Sequence, residues 1–448
     1  MAKVFQLSNI SPRARRVGRE FFWVGLGQTA AVLGAIVGIR LLTHALSPAT
    51  YGELALGLTM ATLVQQVILG PLAGSSLRFF APAQEANQIR SYIWGVQRLL
   101  LQATIILLGL ATLLIVGLWL SGERQWLGFT LAALVFALFS GYSSALDGMQ
   151  NAARQRAIVA WHDGLAVWLR FLIAVALVSA VGAFSQVAVV GYALASALVL
   201  GSQFWFFRRR IFALSSSEPP AALVQAQHWA KQMRSYAWPF ATWGLFTWAQ
   251  LASDRWALQT FATTRDVGLY AVLYQMGYYP ISMISALISQ LVAPIFFSRA
   301  GDGSDPARLL RVQHANMRLT LVTIGLSAIA SLITLFSHDA IFAGFTAPEY
   351  HSVSWLLPLV VLSSGLFAAG QLALLSLLAR NETHRLIRFK ITIALLGALL
   401  NFIGARLFGL QGVVWAGLLT SCAYLGWTLL LVVVALRPVD SQFGSRTT

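Results

Sequence analysis

Apolar runs long enough to cross a bilayer follow one another along almost the whole chain, parted by short clusters of basic residues. A soluble core cannot absorb so many uninterrupted runs. The chain is 58% hydrophobic yet carries formal charge +16, so apolar mass and charge must occupy different places. The charge recurs in alternate gaps, as it does when loops encode the orientation of a polytopic membrane protein.

Twelve spans are expected, near 20–42, 52–73, 95–120, 126–146, 158–181, 187–207, 236–257, 268–297, 317–337, 354–379, 388–408 and 412–436. The eighth exceeds the ~20 residues a span needs, so it must tilt or extend beyond the bilayer. An even count returns both termini to one face. With the termini and even-numbered loops placed in the cytoplasm, only Arg40, Arg124, Arg255, Arg265 and Arg406 of the 31 Lys+Arg fall on the other side. The positive-inside rule therefore puts both termini in the cytoplasm.

The basic residues are dispersed over short segments that flank hydrophobic spans, which excludes a nucleic-acid partner and makes anionic membrane lipids their neighbours. Cys422, the only cysteine, lies inside the last span and allows no intramolecular disulfide. Arg15-Arg16 precede an apolar run in the manner of an export signal. That run is too long for one, so the pair reads as retained topogenic charge.

One segment breaks the alternation. Residues 208–235 open with Arg208-Arg209-Arg210, pass through Ser215-Ser216-Ser217-Glu218-Pro219-Pro220 and end near Lys231 and Arg234, a composition that marks a cytoplasmic linker. The expected organisation is a basic N-terminus (1–19), a first six-helix lobe (20–207), the linker (208–235), a second six-helix lobe (236–436) and a tail (437–448). The lobes echo each other. Tyr51-Gly52-Glu53-Leu54-Ala55 opens span 2 and Val267-Gly268-Leu269-Tyr270-Ala271 opens span 8. Small residues at matching places let backbones approach, and six spans per half imply parallel repeats, a transporter trait.

Only Lys3, Lys231 and Lys390 occur, and none follows a Gly-rich phosphate loop, which excludes a built-in ATPase. No His-Glu-x-x-His and no paired His/Cys spacing is present, so neither metal nor other cofactor is expected. The connections on the outer side are all short, which argues against an enzyme that must hold an acceptor there.

Three segments resemble a known family. Arg40-Leu41-Leu42-Thr43 with Leu46-Ser47-Pro48 and Tyr51-Gly52 resembles the first external connection of the Wzx-type polysaccharide-biosynthesis flippases, members of the multidrug/oligosaccharidyl-lipid/polysaccharide exporter superfamily. Ser253-Asp254-Arg255 with Val267-Gly268-Leu269-Tyr270-Ala271, and Leu399-Leu400-Asn401 with Phe408-Gly409-Leu410-Gln411-Gly412-Val413, are similar to its later signatures. The resemblance implies an all-α integral membrane fold of about twelve transmembrane helices, in two six-helix lobes around a central cavity. It also implies alternating access in the bacterial inner membrane. The implied substrate is an undecaprenyl-diphosphate-linked oligosaccharide, an O-antigen or exopolysaccharide repeat unit moved from the cytoplasmic to the periplasmic leaflet. The polysaccharide polymerase and chain-length machinery are the implied protein partners. A multidrug/cation antiporter of the same superfamily is the rival reading, and an integral-membrane glycan polymerase a more distant one.

Carrying a diphosphate through an apolar slab calls for cationic groups facing water or protein. Arg170, near the middle of span 5, is the leading candidate. An Arg there costs at least ~2.5–3.5 kcal/mol unless it avoids lipid, and its planar fork suits phosphate. A structural ion pair is its other reading. Asp163, seven residues earlier, shares its helical face. Arg78 and Arg98 at the ends of spans 2 and 3, and Arg318 and Lys390 at the starts of spans 9 and 11, either snorkel to headgroups or line an inward mouth. Asn401 and Gln66 are candidates to line a sugar path, against a default of interhelical hydrogen bonding. Trp161, Trp168 and Trp248 are candidate sugar platforms. Arg40 and Arg255 at the outer ends of spans 1 and 7 read as gate residues. Asp163 and Asp254 are candidate ion-coupling acids.

Overall fold

The computed structural model describes residues 12–211, 223–300, 305–378 and 383–434. Among them every regular element is helical and there is no strand. In chain order they are α1 (Pro12–Ala45), α2 (Pro48–Val64), a π-helical turn (Gln65–Leu69), α3 (Gly70–Glu85), α4 (Ile89–Leu120), α5 (Leu127–Ala152), α6 (Arg156–Val181) and α7 (Ser185–Arg210). There follow α8 (Leu223–Phe261), α9 (Thr264–Ala300), α10 (Pro306–Phe345), α11 (Leu357–Leu378) and α12 (Thr383–Val434). The expected linker 208–235 is thus helical at both ends, and 212–222 lies outside the described residues.

Ten stretches among the described residues are long and apolar enough to cross a membrane, and the chain is a multi-pass membrane protein. Large apolar side chains point outward, Leu113 and Phe336 being 71% and 83% exposed. In water such surface would drive association; against lipid it is the expected exterior. The expected second span is continuous from Pro48 to Glu85. Its π turn sits just before Gly70-Pro71. Pro71 has no N–H and its ring crowds the carbonyl four residues back, so the helix widens and Gly70 N–H bonds to Gln65 O instead.

Two expected spans, 388–408 and 412–436, fall on α12. At Gly409 the backbone leaves helical values (φ 57°, ψ −134°). A Cβ placed on Gly404 would lie 2.4 Å from the Gly412 carbonyl oxygen, although eight residues of straight helix span ~12 Å. The rings of Phe389 and Trp427 are 5.2 Å apart. The chain therefore doubles back, and α12 is a hairpin of two antiparallel arms, so its one long apolar stretch counts as two among the described residues. The expected seventh span, 236–257, lies within α8 but is not among the ten stretches. Trp238, Trp243, Trp248 and Trp256, with Asp254 and Arg255, lower its hydropathy.

Two compact units divide the chain: Met1–Leu46 with Gly57–Trp248, and Ser47–Leu56 with Ala249–Thr448. In unit 1, α1 packs on α6 through Trp168 Nε1–H, which donates to Ala30 O at 2.9 Å. Ser76 Oγ joins α3 to α5 by donating to Ala145 O at 3.2 Å. In unit 2, Asn316 Nδ2 donates to Ala373 O at 3.0 Å and ties α10 to α11. Ser363 and Ser421, 3.0 Å apart, tie α11 to the second arm of α12. Such interhelical hydrogen bonds, together with small residues at crossings, hold helices that share no hydrophobic driving force in lipid.

Candidate functional site

Unit 1 holds an open-sided cavity of about 290 Å³ with many polar side chains, walled by the end of α2 with Gln65 and by α5, α6 and α7. Arg170 of α6 lines it. The guanidinium carbon lies 5.0 Å from the centre of the Phe136 ring and 5.7 Å from that of Tyr192. Two aromatic faces thus hold the cation within a helix bundle by cation–π attraction. Asp163, two turns back on α6, opens into the same cavity, as the shared helical face requires. Asp147 of α5 joins them there and accepts a hydrogen bond from Gln203 Nε2. Gln203 Nε2 also reaches Gln150 Oε1 at 3.1 Å.

Gln65, on the same helix face as Ala61 and Thr62, opens into this cavity, where its Nε2 donates to Ser144 Oγ at 2.8 Å. Gln66, the residue expected to line a sugar path, is not in the lining; its carbonyl abuts Gly244 of α8. Three buried acceptor-capable atoms in the lining, Gln65 Oε1, Ser143 Oγ and Gln203 Oε1, have no hydrogen-bond partner among the described residues. Burying such groups unpaired costs ~1–3 kcal/mol each. The cavity is thus equipped for a polar ligand: one delocalised cation, two carboxylates and uncommitted hydrogen-bonding atoms.

Unit 2 holds a smaller cavity of about 90 Å³ between α8, α9, α11 and α12. Tyr270, Tyr274 and Tyr278 of α9 line it at a spacing of four residues, which stacks them on one helical face. Asp254 is also in the wall, and its Oδ1 accepts from Arg255 Nη1 at 3.2 Å. Arg255 Nη1 further donates to Leu251 O at 2.9 Å, and its guanidinium stands 5.1 Å from the Tyr274 ring centre. The buried pair neutralises itself. Asn401 lines the same cavity, and its Nδ2 donates to Ser253 Oγ at 2.9 Å.

The remaining expected residues are not brought to either cavity. Arg78, Arg98 and Arg318 are exposed on α3, α4 and α10, and Arg78 lies 6.0 Å from the Phe79 ring. Lys390 is half-buried on the first arm of α12 and Arg40 is exposed near the end of α1. Trp168 and Trp248 lie outside both linings and tie helices together: Trp248 Nε1–H donates to Thr59 O at 2.7 Å, as Trp168 does to Ala30. Two features escaped the sequence reading. Asp147 was passed over because it falls one residue beyond the span expected at 126–146, whereas α5 continues to Ala152. The tyrosines at 270, 274 and 278 carried a legible signal in their spacing.

The all-helical, multi-pass fold of the described residues is shared with solved structures. An inward-facing multidrug-resistance MATE family transporter of the MOP superfamily superposes with TM-score 0.68 at 11% identity, covering 94% of this chain and 98% of that one. The lipid II flippase MurJ in an inward closed conformation gives 0.63 at 13%, covering 94% and 87%. The Vibrio cholerae MATE transporter VcmN in the bent form gives 0.59 at 14%, covering 94% and 98%. No curated protein sequence matches the chain. A family model described as "Polysaccharide biosynthesis protein" matches residues 17–299. The chain belongs to that polysaccharide biosynthesis family.

Proposed function

We propose that the protein moves a polyprenyl-diphosphate-linked oligosaccharide from the cytoplasmic to the periplasmic leaflet of a bacterial inner membrane by alternating access. The observation that carries this reading is Arg170, set between Phe136 and Tyr192 in a polar cavity inside helices otherwise apolar enough to face lipid. A guanidinium remains charged at every physiological pH and donates bidentately to phosphate oxygens. Of the uncommitted atoms, the Ser143 hydroxyl can donate to a phosphate oxygen, whereas Gln65 Oε1 and Gln203 Oε1 accept and suit a sugar hydroxyl next to the diphosphate. The polyprenyl chain stays in lipid, where it costs nothing to solvate. Membership of a polysaccharide biosynthesis family, and the fold shared with a lipid II flippase, support this substrate class.

The test is genetic and chemical. In a strain lacking the chain, polyprenyl-linked oligosaccharide should accumulate on the cytoplasmic leaflet, and the wild-type gene should clear it. Normal surface glycan in that strain removes the reading.

A specific observation favours a second reading, the cation antiporter. Asp147 and Asp163 share the cavity with Arg170, so with all three ionised the acids outnumber the base. Such a cavity attracts cations. Drug sensitivity with unchanged glycan in the same strain would select it.

A further inference from the structure

The transport reading leaves open where the sugar itself is recognised. We infer that Tyr270, Tyr274 and Tyr278 of unit 2 form a saccharide-binding platform for the neutral sugars of the substrate. The inference rests on the transport reading and adds a second ligand site to it.

The tyrosines form a ladder up one face of α9. Ring centres of Tyr270 and Tyr274 are 5.8 Å apart; those of Tyr274 and Tyr278 are 4.5 Å apart, with planes within 15°. All three line the cavity. Tyr270 hydrogen-bonds Asp254 and Tyr278 hydrogen-bonds Tyr274, a polar network that Leu or Phe on this helix face would not make. The facing wall is also built of hydroxyls and an amide. Ser364 Oγ–H donates to Val360 O at 2.6 Å and Thr420 Oγ1–H to Ala416 O at 2.7 Å. Each of these oxygens has spent its proton on its own helix and keeps lone pairs directed outward. Asn401 has likewise committed its Nδ2, which leaves its carbonyl to accept. The wall is therefore rich in acceptors.

A second cavity, about 250 Å³, shares Tyr278 and Ser364 with the first and is lined by Ser285, Ser289 and Gln371.

Charge selects the ligand class. Asp254 is the one ionisable acid or base other than tyrosine in either lining, and Arg255 at 3.2 Å balances it. A phosphate or a drug cation finds no uncompensated charge here. A neutral polyol finds what it needs: acceptors for its hydroxyl protons, phenol hydroxyls, and an aromatic surface that ends at Tyr278, whose ring stacks on Tyr274 and lines both cavities. Unit 1, with Arg170, Asp147 and Asp163, has the opposite character. The two cavities thus differ in chemistry: that of unit 1 suits an anionic group and that of unit 2 neutral sugars.

Two soluble probes separate the sites. One is the repeat-unit oligosaccharide released by mild acid from the host's own lipid-linked precursor; the other is farnesyl diphosphate, a lipid diphosphate without sugar. Binding of each to the purified full chain is measured by calorimetry for wild type, Tyr274→Leu, Tyr278→Leu and Arg170→Ala, with thermal melting as the check on folding. Tyr274→Leu should weaken the oligosaccharide at least tenfold and leave farnesyl diphosphate within twofold, and Arg170→Ala should do the reverse. Tyr278→Leu, at the edge common to both cavities, should repeat the Tyr274→Leu result and stands in for it if that variant does not fold. Tyrosine variants that melt like wild type and bind oligosaccharide like wild type overturn the platform, and so does equal loss of both probes. Wild-type binding of farnesyl diphosphate without the oligosaccharide overturns the platform alone. Wild-type binding of neither probe overturns the transport reading along with it.

Discussion

Gly52 and Gly268 hold matching places in the two Gly-x-x-Ala segments, and in unit 2 they pack backbone against backbone. A Cβ on Gly52 would lie 2.0 Å from the Thr264 carbonyl oxygen, and one on Gly268 would lie 1.8 Å from that of Pro48. The contact is reciprocal: each glycine meets the residue four positions before its counterpart. Segments that echo each other in sequence thus meet across a local two-fold relation, which no side chain larger than hydrogen permits.

Gly268→Ala should therefore force the two helix starts apart and cost about 1–3 kcal/mol, the usual penalty for overpacking. Melting of the purified protein in detergent reads this out. Gly325→Ala is the control, since a Cβ there meets nothing within 4 Å.

The reversal of α12 depends on Gly409, whose φ of 57° with ψ of −134° lies in a region open essentially to glycine. Gly409→Ala should cost about 1–3 kcal/mol. Because the arms meet again at Gly404 and Gly412, the same variant should also raise protease susceptibility within 404–412.

Trp168→Phe removes the donor that ties α6 to Ala30 of α1. It should lower stability by about 1 kcal/mol and leave transport per folded molecule unchanged. Reduced transport at normal stability would restore Trp168 as a ligand contact.

Much of this was legible before the fold was seen. Span positions followed from apolar length, and even the α12 hairpin was anticipated as two spans around Gly409. Arg170 and Asp163 share a cavity because seven residues make two helical turns. The misses have physical causes. Hydropathy undervalues the tryptophans of α8. A helix does not end where its apolar run ends, so Asp147 was lost. Gln65 shares the helix face of Ala61 and Thr62, and that spacing turns it and not Gln66 into the cavity. Arg78, Arg98 and Arg318 sit at span ends where a long side chain can turn outward, and a single sequence does not state which way their helices face.

The two carboxylates beside Arg170 give a test of sign. If unit 1 takes a diphosphate, Asp163→Asn removes a repulsion and should tighten farnesyl diphosphate binding about five- to tenfold, the equivalent of ~1–1.4 kcal/mol. If it takes a cation, the same substitution should abolish binding of a lipophilic ammonium probe such as ethidium. Gln203→Leu strips Asp147 of its hydrogen-bond donor and should impair either activity.

The central claim is that Arg170 holds the anionic head of the carrier lipid. Its most direct measurement is the flipping rate of a fluorescent polyprenyl-diphosphate-linked oligosaccharide in proteoliposomes containing wild-type, Arg170→Ala or Arg170→Lys protein at equal folded amounts. Losing a charge-assisted hydrogen bond costs ~1.5–3 kcal/mol, so Arg170→Ala should slow flipping about 10- to 100-fold. Arg170→Lys should recover part of that rate, keeping the charge without the bidentate fork. Flipping by Arg170→Ala at the wild-type rate would contradict the account.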